Sequence, residues 1–325
     1  MTRAAQPQTS VLYQPVQADL ARVAENLRGL ARTGAPHLMD LLDHVLESPG
    51  KQMRPAITLL AARFHPNDGK LPVLMATAVE LLHIATLIHD DTVDGAATRR
   101  GRATLAHVFG PNMAVLVGDY LFAASATFVC DTKNVRVIRR FAETIMELAS
   151  GQLQEYLQAF HPQGRADYEA RIYHKTASLF QTAAETGAIL SGAPEESVQA
   201  LRTYGYNLGM AFQIVDDILD FLGDAEEVGK PVGRDLQHGV MTLPAILLAE
   251  RCPQDNPVAA YFETRDEAHL ARALEQVQRG GILEECYNEV RALCRKATAA
   301  LEGLPDVPAR HSLHGLARYA VDRRQ

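Results

Sequence analysis

The chain has 325 residues, of which 47% are apolar and 22% charged, and its formal net charge is −7. That balance describes a globular chain large enough for one big domain or two ordinary ones, and it excludes a disordered polymer. The acidic excess and the lack of any long basic run also exclude a general nucleic-acid binder.

The opening stretch, "MTRAAQPQTSVLYQP", is polar, carries two prolines and has no apolar h-region. Residues 1–16 are therefore expected to form a polar tail, and no signal peptide is expected. From residue 17 onward helical periodicity dominates, with no run of alternating strands joined by hairpin turns. Gly/Pro-rich breaks such as "ESPGKQMRP", "HPNDGKLP", "SGAPEES" and "EGLPDVPA" separate the helical segments. Their spacing predicts an all-α protein, a single-domain bundle of roughly ten or more helices over residues 17–325. The apolar stretch "MAVLVGDYLFAASATFVC" nearly reaches bilayer-spanning length. Asp119 in its interior and its small residues assign it to a core helix, so no transmembrane segment is expected. The longest break, residues 223–244, is rich in glycine and charge and reads as a functional lid. Cys130, Cys252, Cys286 and Cys294 are widely spaced without a CxxC pair, as reduced and mostly buried thiols of a cytoplasmic protein would be.

Two acidic clusters break the local rules in the same way. "LIHDDTVDG" places Asp90, Asp91 and Asp94 in the last turn of an apolar helix, and "FQIVDDILDFLG" repeats the spacing with Asp216, Asp217 and Asp220. Positions i, i+1 and i+4 fall within an arc of about 100° on a helix. Carboxylates there meet the negative end of the helix dipole and one another, each effect costing a few tenths of a kcal/mol or more. Acidic residues at helix ends are ordinarily solvated surface. Two such clusters, each closing a greasy helix with a C-cap glycine, instead call for a shared cationic partner. Hard Mg²⁺ fits, because it takes one or two carboxylates and completes its shell with water and phosphate.

Phosphate-binding side chains lie near each break: Lys51 and Arg54 in "PGKQMRP", Arg99 and Arg100 in "TRRGR", Lys175 with Thr176 in "HKTASLF", and Lys230 in "VGKPVGRD". Arginine forks grip diphosphate oxygens bidentately and lysines act as point charges. Other phosphate motifs fail. "GDAEEVGKP" lacks the glycine spacing, the following Ser/Thr and the preceding strand of a P-loop, and "GYNLG" is no dinucleotide fingerprint.

Taken together, "PGKQMRP", "ELLHIATLIHDDTVDGAATRRGRAT", "VGDYLFA", "HKTASLF", "FQIVDDILD" and "GKPVGRDLQHGVMTLPAI" resemble the trans-isoprenyl diphosphate synthases, in that family's order and spacing. The resemblance implies the isoprenoid synthase fold, helices around a central apolar cavity, and a homodimer. It assigns Asp90, Asp91, Asp94, Asp216, Asp217 and Asp220 to Mg²⁺ held against the diphosphate of the allylic substrate, helped by Arg99, Lys175 and Lys230. Lys51, Arg54, His83 and Arg100 would bind the diphosphate of isopentenyl diphosphate. Thr176 and Gln213 would turn oxygen dipoles toward the allylic carbocation. The implied reaction condenses isopentenyl diphosphate with an allylic diphosphate into a membrane-destined trans-polyprenyl diphosphate, with the proton lost going to the departing diphosphate.

Two departures stand out. Val240 occupies a position where the family usually has lysine, which puts one phosphate contact in doubt, and Gln152 follows a glycine where the family often has glutamate. The rival readings are weaker. Glu80 and His83 form an ExxH pair but lack the second pair that a di-iron bundle requires. A terpene cyclase would carry a different second motif, and the absence of tryptophan speaks against an aromatic cation-guiding cavity. A non-catalytic regulatory subunit of a heteromeric synthase would tend to lose one acidic cluster, and this chain keeps both.

Product length is read at Ala85 and Thr86, just upstream of Asp90. Short-chain members of the family, such as geranylgeranyl and farnesyl diphosphate synthases, usually place aromatic residues there. Small side chains point to a medium- or long-chain product of the kind used for quinone side chains. Ala85→Phe is expected to shorten the product, read by chain-length analysis; an unchanged length would refute this placement of the tunnel.

Overall fold

The computed structural model describes residues 11–33, 36–46, 50–99, 101–222 and 232–322. The helices in chain order are α1 (Gln17–Thr33), α2 (Pro36–Leu46), α3 (Met53–Ala61), α4 (Lys70–Val93), α5 (Leu105–Phe109), α6 (Pro111–Asp131), α7 (Val135–Leu157), α8 (Arg165–Ile172), α9 (Ser178–Leu190), α10 (Glu195–Leu222), α11 (Arg234–Gln237), α12 (Leu243–Arg251), α13 (Pro257–Thr264), α14 (Glu267–Arg279), α15 (Ile282–Ala300) and α16 (Pro308–Asp322). Among the described residues the one sheet is a minimal antiparallel hairpin, β1 (Thr98–Arg99) with β2 (Arg102–Ala103). The protein is all-α, as the periodicity predicts. Ordered packing begins before residue 17: Gln14–Val16 form a 3₁₀ turn, Val16 is buried, and the Tyr13 hydroxyl donates to the Lys51 carbonyl at 2.8 Å.

The chain divides into two compact units. The first comprises Met1–Ala142, Thr182–Leu201 and Leu304–Leu313. Its centre is α4, which is apolar on almost every side and accordingly buried over most of its length, as an all-round hydrophobic helix must be. It packs against α6, α3 and α1. Two buried polar pins fix the α1 side: Asn26 donates to the Thr77 hydroxyl at 3.0 Å, and Asp19 accepts from Arg22 and Arg63. Helices α4 and α6 are both long and apolar enough to cross a membrane by composition, although two thirds of α4's apolar window is buried inside the protein. A Cβ on Gly118 of α6 would meet the His89 ring at 2.1 Å, so that glycine is what lets α6 lie so close to α4.

The second unit comprises Glu143–Gln181, Arg202–Gly303 and His314–Gln325. Its core is built on α12, whose residues from Leu243 to Leu248 are all buried, with α13, α14, α15 and α8 packed around it. Between α8 and α9 the chain makes a π-helical turn, Tyr173–Ala177. The "GYNLG" stretch has its explanation here. A Cβ on Gly205 would lie 2.6 Å from the Phe180 carbonyl oxygen, and one on Gly209 would lie 2.6 Å from the Ala177 Cα. Helix α10 therefore runs backbone to backbone against the residues that leave the π-turn.

In the first unit Gly187 of α9 makes a comparable approach, since its Cβ would stand 2.2 Å from the Thr58 carbonyl oxygen of α3. Gly187→Ala is expected to force the helices apart and cost about 1–3 kcal/mol, measured as a lower urea midpoint. An unchanged midpoint would contradict the close α3–α9 approach.

Candidate active site

The first acidic cluster closes α4. Its middle member, Asp91, is 8% exposed, whereas Asp90 is half-buried and Asp94 exposed. The chain turns back at Gly95 (φ 60°), and Ala96 N–H bonds to the Asp91 carbonyl at 2.9 Å. The β1–β2 hairpin then returns Arg99 to the helix end, locked by the Thr104 hydroxyl on the Ala96 carbonyl at 2.6 Å. Arg99 Nε donates to both Asp91 carboxylate oxygens, at 2.7 and 2.8 Å. Burial pushes the Asp91 carboxyl up from its ordinary range, and the Arg99 guanidinium opposes that shift. Exposure within the cluster thus rises from Asp91 through Asp90 to Asp94.

Two turns earlier on α4, His83 meets Arg54, with His83 Nε2 3.2 Å from Arg54 Nη1. His83 shares the Asp90 face, about 10 Å from it along the axis. Lys51 is exposed at the entry to α3, where Gln52 adopts a left-handed conformation (φ 48°). Ala85 and Thr86 separate. Thr86 lies about 40° from Asp90 around the helix and Ala85 about 140°. Ala85 is fully buried on the side of His89 and the Gly118 approach, while Thr86 is half-buried with its hydroxyl on the His83 carbonyl at 2.8 Å. Arg100 and Lys230 lie outside the described residues, as do Gly223 and the rest of the lid segment up to residue 231.

The second cluster closes α10 in the same manner, within the second unit. Its middle member, Asp217, is 2% exposed and accepts the Tyr168 hydroxyl at 2.6 Å on one oxygen and the Gln213 amide at 2.8 Å on the other. Burial raises its carboxyl to about 6, with both donors pulling the other way. Asp216 is half-buried. Asp220 accepts the backbone N–H groups of Arg234 and Asp235, each at 3.1 Å, and the Gly233 N–H bonds to its carbonyl at 2.9 Å. The positive start of α11 therefore offsets a carboxylate stranded at the negative end of α10. Burial also raises the Asp220 carboxyl, against those donors, and drives that of Asp235 well up, with Asp220 and Asp217 adding to it.

Lys175 and Thr176 occupy the π-turn. The turn fits because Gly151 of α7 has no side chain: a Cβ there would be 2.8 Å from the Lys175 nitrogen and 2.9 Å from the His174 Cβ. The Thr176 hydroxyl donates to Gln213 Oε1 at 2.6 Å, so these two predicted residues do meet. Lys175 donates to Glu155, which also lies 3.9 Å from the buried Arg171 guanidinium. Arg171 in turn holds Gln163 and, at 2.8 Å, the Met241 carbonyl, tying down the segment that contains Val240. Tyr168, Glu155, Arg171 and Asp235 are site residues that motif reading does not reveal. The one available signal is that Tyr168 lies seven residues, two helical turns, before Lys175.

A family model described as polyprenyl synthetase matches residues 35–277. Heptaprenyl diphosphate synthase component 2 of Geobacillus stearothermophilus is 37% identical over 313 residues, covering 96% of this chain and 98% of that protein. Octaprenyl diphosphate synthase of Escherichia coli is 37% identical over 284 residues, covering 86% of this chain and 88% of that protein. Among solved structures, a decaprenyl diphosphate synthase from Rhodobacter capsulatus superposes with a TM-score of 0.88 at 36% identity, covering 98% of this chain and 99% of that one. The polyprenyl synthase from Caulobacter crescentus, complexed with calcium and isoprenyl diphosphate, superposes with a TM-score of 0.90 at 33% identity, covering 100% of each chain.

The raised Asp217 carboxyl has a stability consequence. A carboxyl whose folded pKa exceeds its unfolded value holds its proton more tightly when folded, so its ionisation costs stability. The cost is absent below the ordinary 3.8 and complete above about 6. Between pH 4 and pH 7 the ligand-free wild-type protein is expected to lose up to about 3 kcal/mol relative to Asp217→Asn, measured by urea unfolding at both values. A pH-independent difference would contradict it.

Proposed function

Since the chain belongs to the polyprenyl synthetase family and is an enzyme that transfers prenyl groups, we propose that residues 17–325 act as one domain that elongates an allylic diphosphate with isopentenyl diphosphate to a trans-polyprenyl diphosphate of medium or long chain. The observation that carries this reading is the shared construction of the two acidic helix ends. In each, the protein engages the middle aspartate, through Arg99 or through Tyr168 and Gln213, and it is the most buried of its cluster, with Asp90 and Asp216 partly buried and Asp94 exposed. Such a donor set, all oxygen and one or two carboxylates at a time, suits Mg²⁺ better than a metal that needs a closed protein cage. Among the described residues no three His, Cys, Asp or Glu side chains converge on a metal-sized point. Bound there, Mg²⁺ would neutralise the charge developing on the departing diphosphate.

The chain's own residues divide the remaining work. Lys175, with Arg99 and Lys230, holds the allylic diphosphate; Lys51, Arg54, His83 and Arg100 hold that of isopentenyl diphosphate. The contact between His83 and the permanently charged Arg54 favours an anion beside the pair and argues against iron at the Glu80–His83 pair. Thr176 and Gln213 present oxygen lone pairs to the allylic cation, and the proton leaves with diphosphate. Thr86, on the Asp90 face, and Ala85 beside it border the growing tail and limit its length.

The reading includes a cytoplasmic homodimer whose product is destined for membranes. Met146, Leu153 and Leu157 line one stripe of α7 and are 62–72% exposed, an apolar face that a second copy would cover. Purified protein given isopentenyl diphosphate, farnesyl diphosphate and Mg²⁺ is expected to yield prenyl diphosphates longer than twenty carbons, roughly the long-chain range, and chelation of the metal should abolish them. Products stopping at geranylgeranyl would replace the long-chain reading with the short-chain one. No elongated product would overturn the single-chain enzyme.

A further inference from the structure

We propose that Tyr168 is a positioning residue that sets the polarity of the Thr176–Gln213 pair, acting through Asp217; this rests on the prenyl-transfer reading above. Four side chains form one continuous line in the second unit. The Tyr168 hydroxyl donates to one Asp217 oxygen at 2.6 Å, the Gln213 amide donates to the other at 2.8 Å, and the Thr176 hydroxyl donates to Gln213 Oε1 at 2.6 Å. Tyr168, Asp217 and Thr176 are each less than a tenth exposed.

The direction of every bond in this line follows from its buried end. An ionised carboxylate accepts only, so the Gln213 group facing Asp217 must be its NH₂. Oε1 is then turned to Thr176 and takes the hydroxyl proton, which leaves the Thr176 oxygen with its lone pairs uncommitted by that bond. Both groups consequently show oxygen, not hydrogen, to a cation. Were the amide reversed, its N–H groups would face Thr176 and a positive dipole would oppose the developing charge. Two donors, one on each oxygen, fix the plane of the Asp217 carboxylate; with one donor it rotates about its terminal torsion and the amide loses its anchor. Tyr168 also forms part of the wall of a cavity of about 270 Å³ lined by Tyr206, Asn207, Met210 and Ile214. A phenylalanine would keep that wall, so Tyr168→Phe removes the hydrogen bond alone.

A double-mutant cycle tests the proposal. Tyr168→Phe and Thr176→Val are each expected to lower kcat about tenfold with KM for both diphosphates unchanged within about twofold, and the double variant to lose about tenfold, not a hundredfold, because both act on one chain of bonds. A binding measurement independent of turnover uses a farnesyl-chain ammonium analogue, charged where the cation forms, with inorganic pyrophosphate and Mg²⁺. Its affinity advantage over the uncharged isostere should fall by the same factor in both single variants and no further in the double. Multiplicative losses, a wild-type kcat in Tyr168→Phe, or an undiminished preference for the charged analogue would overturn the assignment. Should Tyr168→Phe prove too unstable, Gln213→Leu combined with Thr176→Val must show the same non-additivity, and additive effects there also overturn it. A wild-type enzyme that makes no elongated product fails the functional reading itself, whereas an active wild type with an indifferent Tyr168→Phe fails only this inference.

Discussion

Everything distinctive in this protein follows from placing carboxylates where a helix is already negative. Each of the two acidic clusters would repel itself and its own helix dipole. The solution in both cases is division of labour. One aspartate, the middle one, is taken furthest out of water and given strong side-chain donors, and its neighbours are less deeply buried. The donors differ: a guanidinium brought back by a hairpin for Asp91, a phenol and an amide for Asp217. The common arrangement shows that the constraint is physical, and the different parts show that it can be met in more than one way.

Support for the second cluster extends well past its own helix. Gly209 allows α10 to touch the exit of the π-turn, and Gly151 allows α7 to touch its middle. The turn in turn places Lys175 beside Glu155 and Thr176 beside Gln213. Arg171, buried one turn earlier, reaches the Met241 carbonyl and so fixes the backbone near the end of the glycine-rich break. Glycine, π-turn and buried arginine thus serve a single end, the placement of a few polar atoms at the finish of α10.

What the sequence makes legible is what depends on neighbours in the chain. Periodicity reveals the helices, and i, i+1, i+4 spacing reveals both acidic clusters. Family resemblance gives Thr176 and Gln213 a common role, and the hydrogen bond that joins them is visible only in the structure. What stays hidden is carried by contacts between distant positions. Nothing near Asp217 announces Tyr168, 49 positions away. Nothing in "YHKTA" marks a π-turn, and the missing side chain that makes room for it is at Gly151, on another helix. Ala85 and Thr86 look equivalent as small neighbours, yet the helix turns them to different sides, one into the α4 packing surface and one onto the Asp90 face.

The π-turn at Tyr173–Ala177 acts as a phase shifter in an otherwise continuous rod. A π-turn accommodates roughly one more residue than a regular turn. The five residues therefore turn less per residue than an ordinary helix, whose step is about 100°, and an insertion there would rotate everything before it by about 100° relative to everything after. Tyr168 lies before the turn and Thr176 within it, and both must reach the same face of α10. The length of this short segment is therefore constrained as well as its composition: Lys175 and Thr176 make its contacts to Glu155 and Gln213, and an insertion would put the two ends of the hydrogen-bonded line on different sides of the rod.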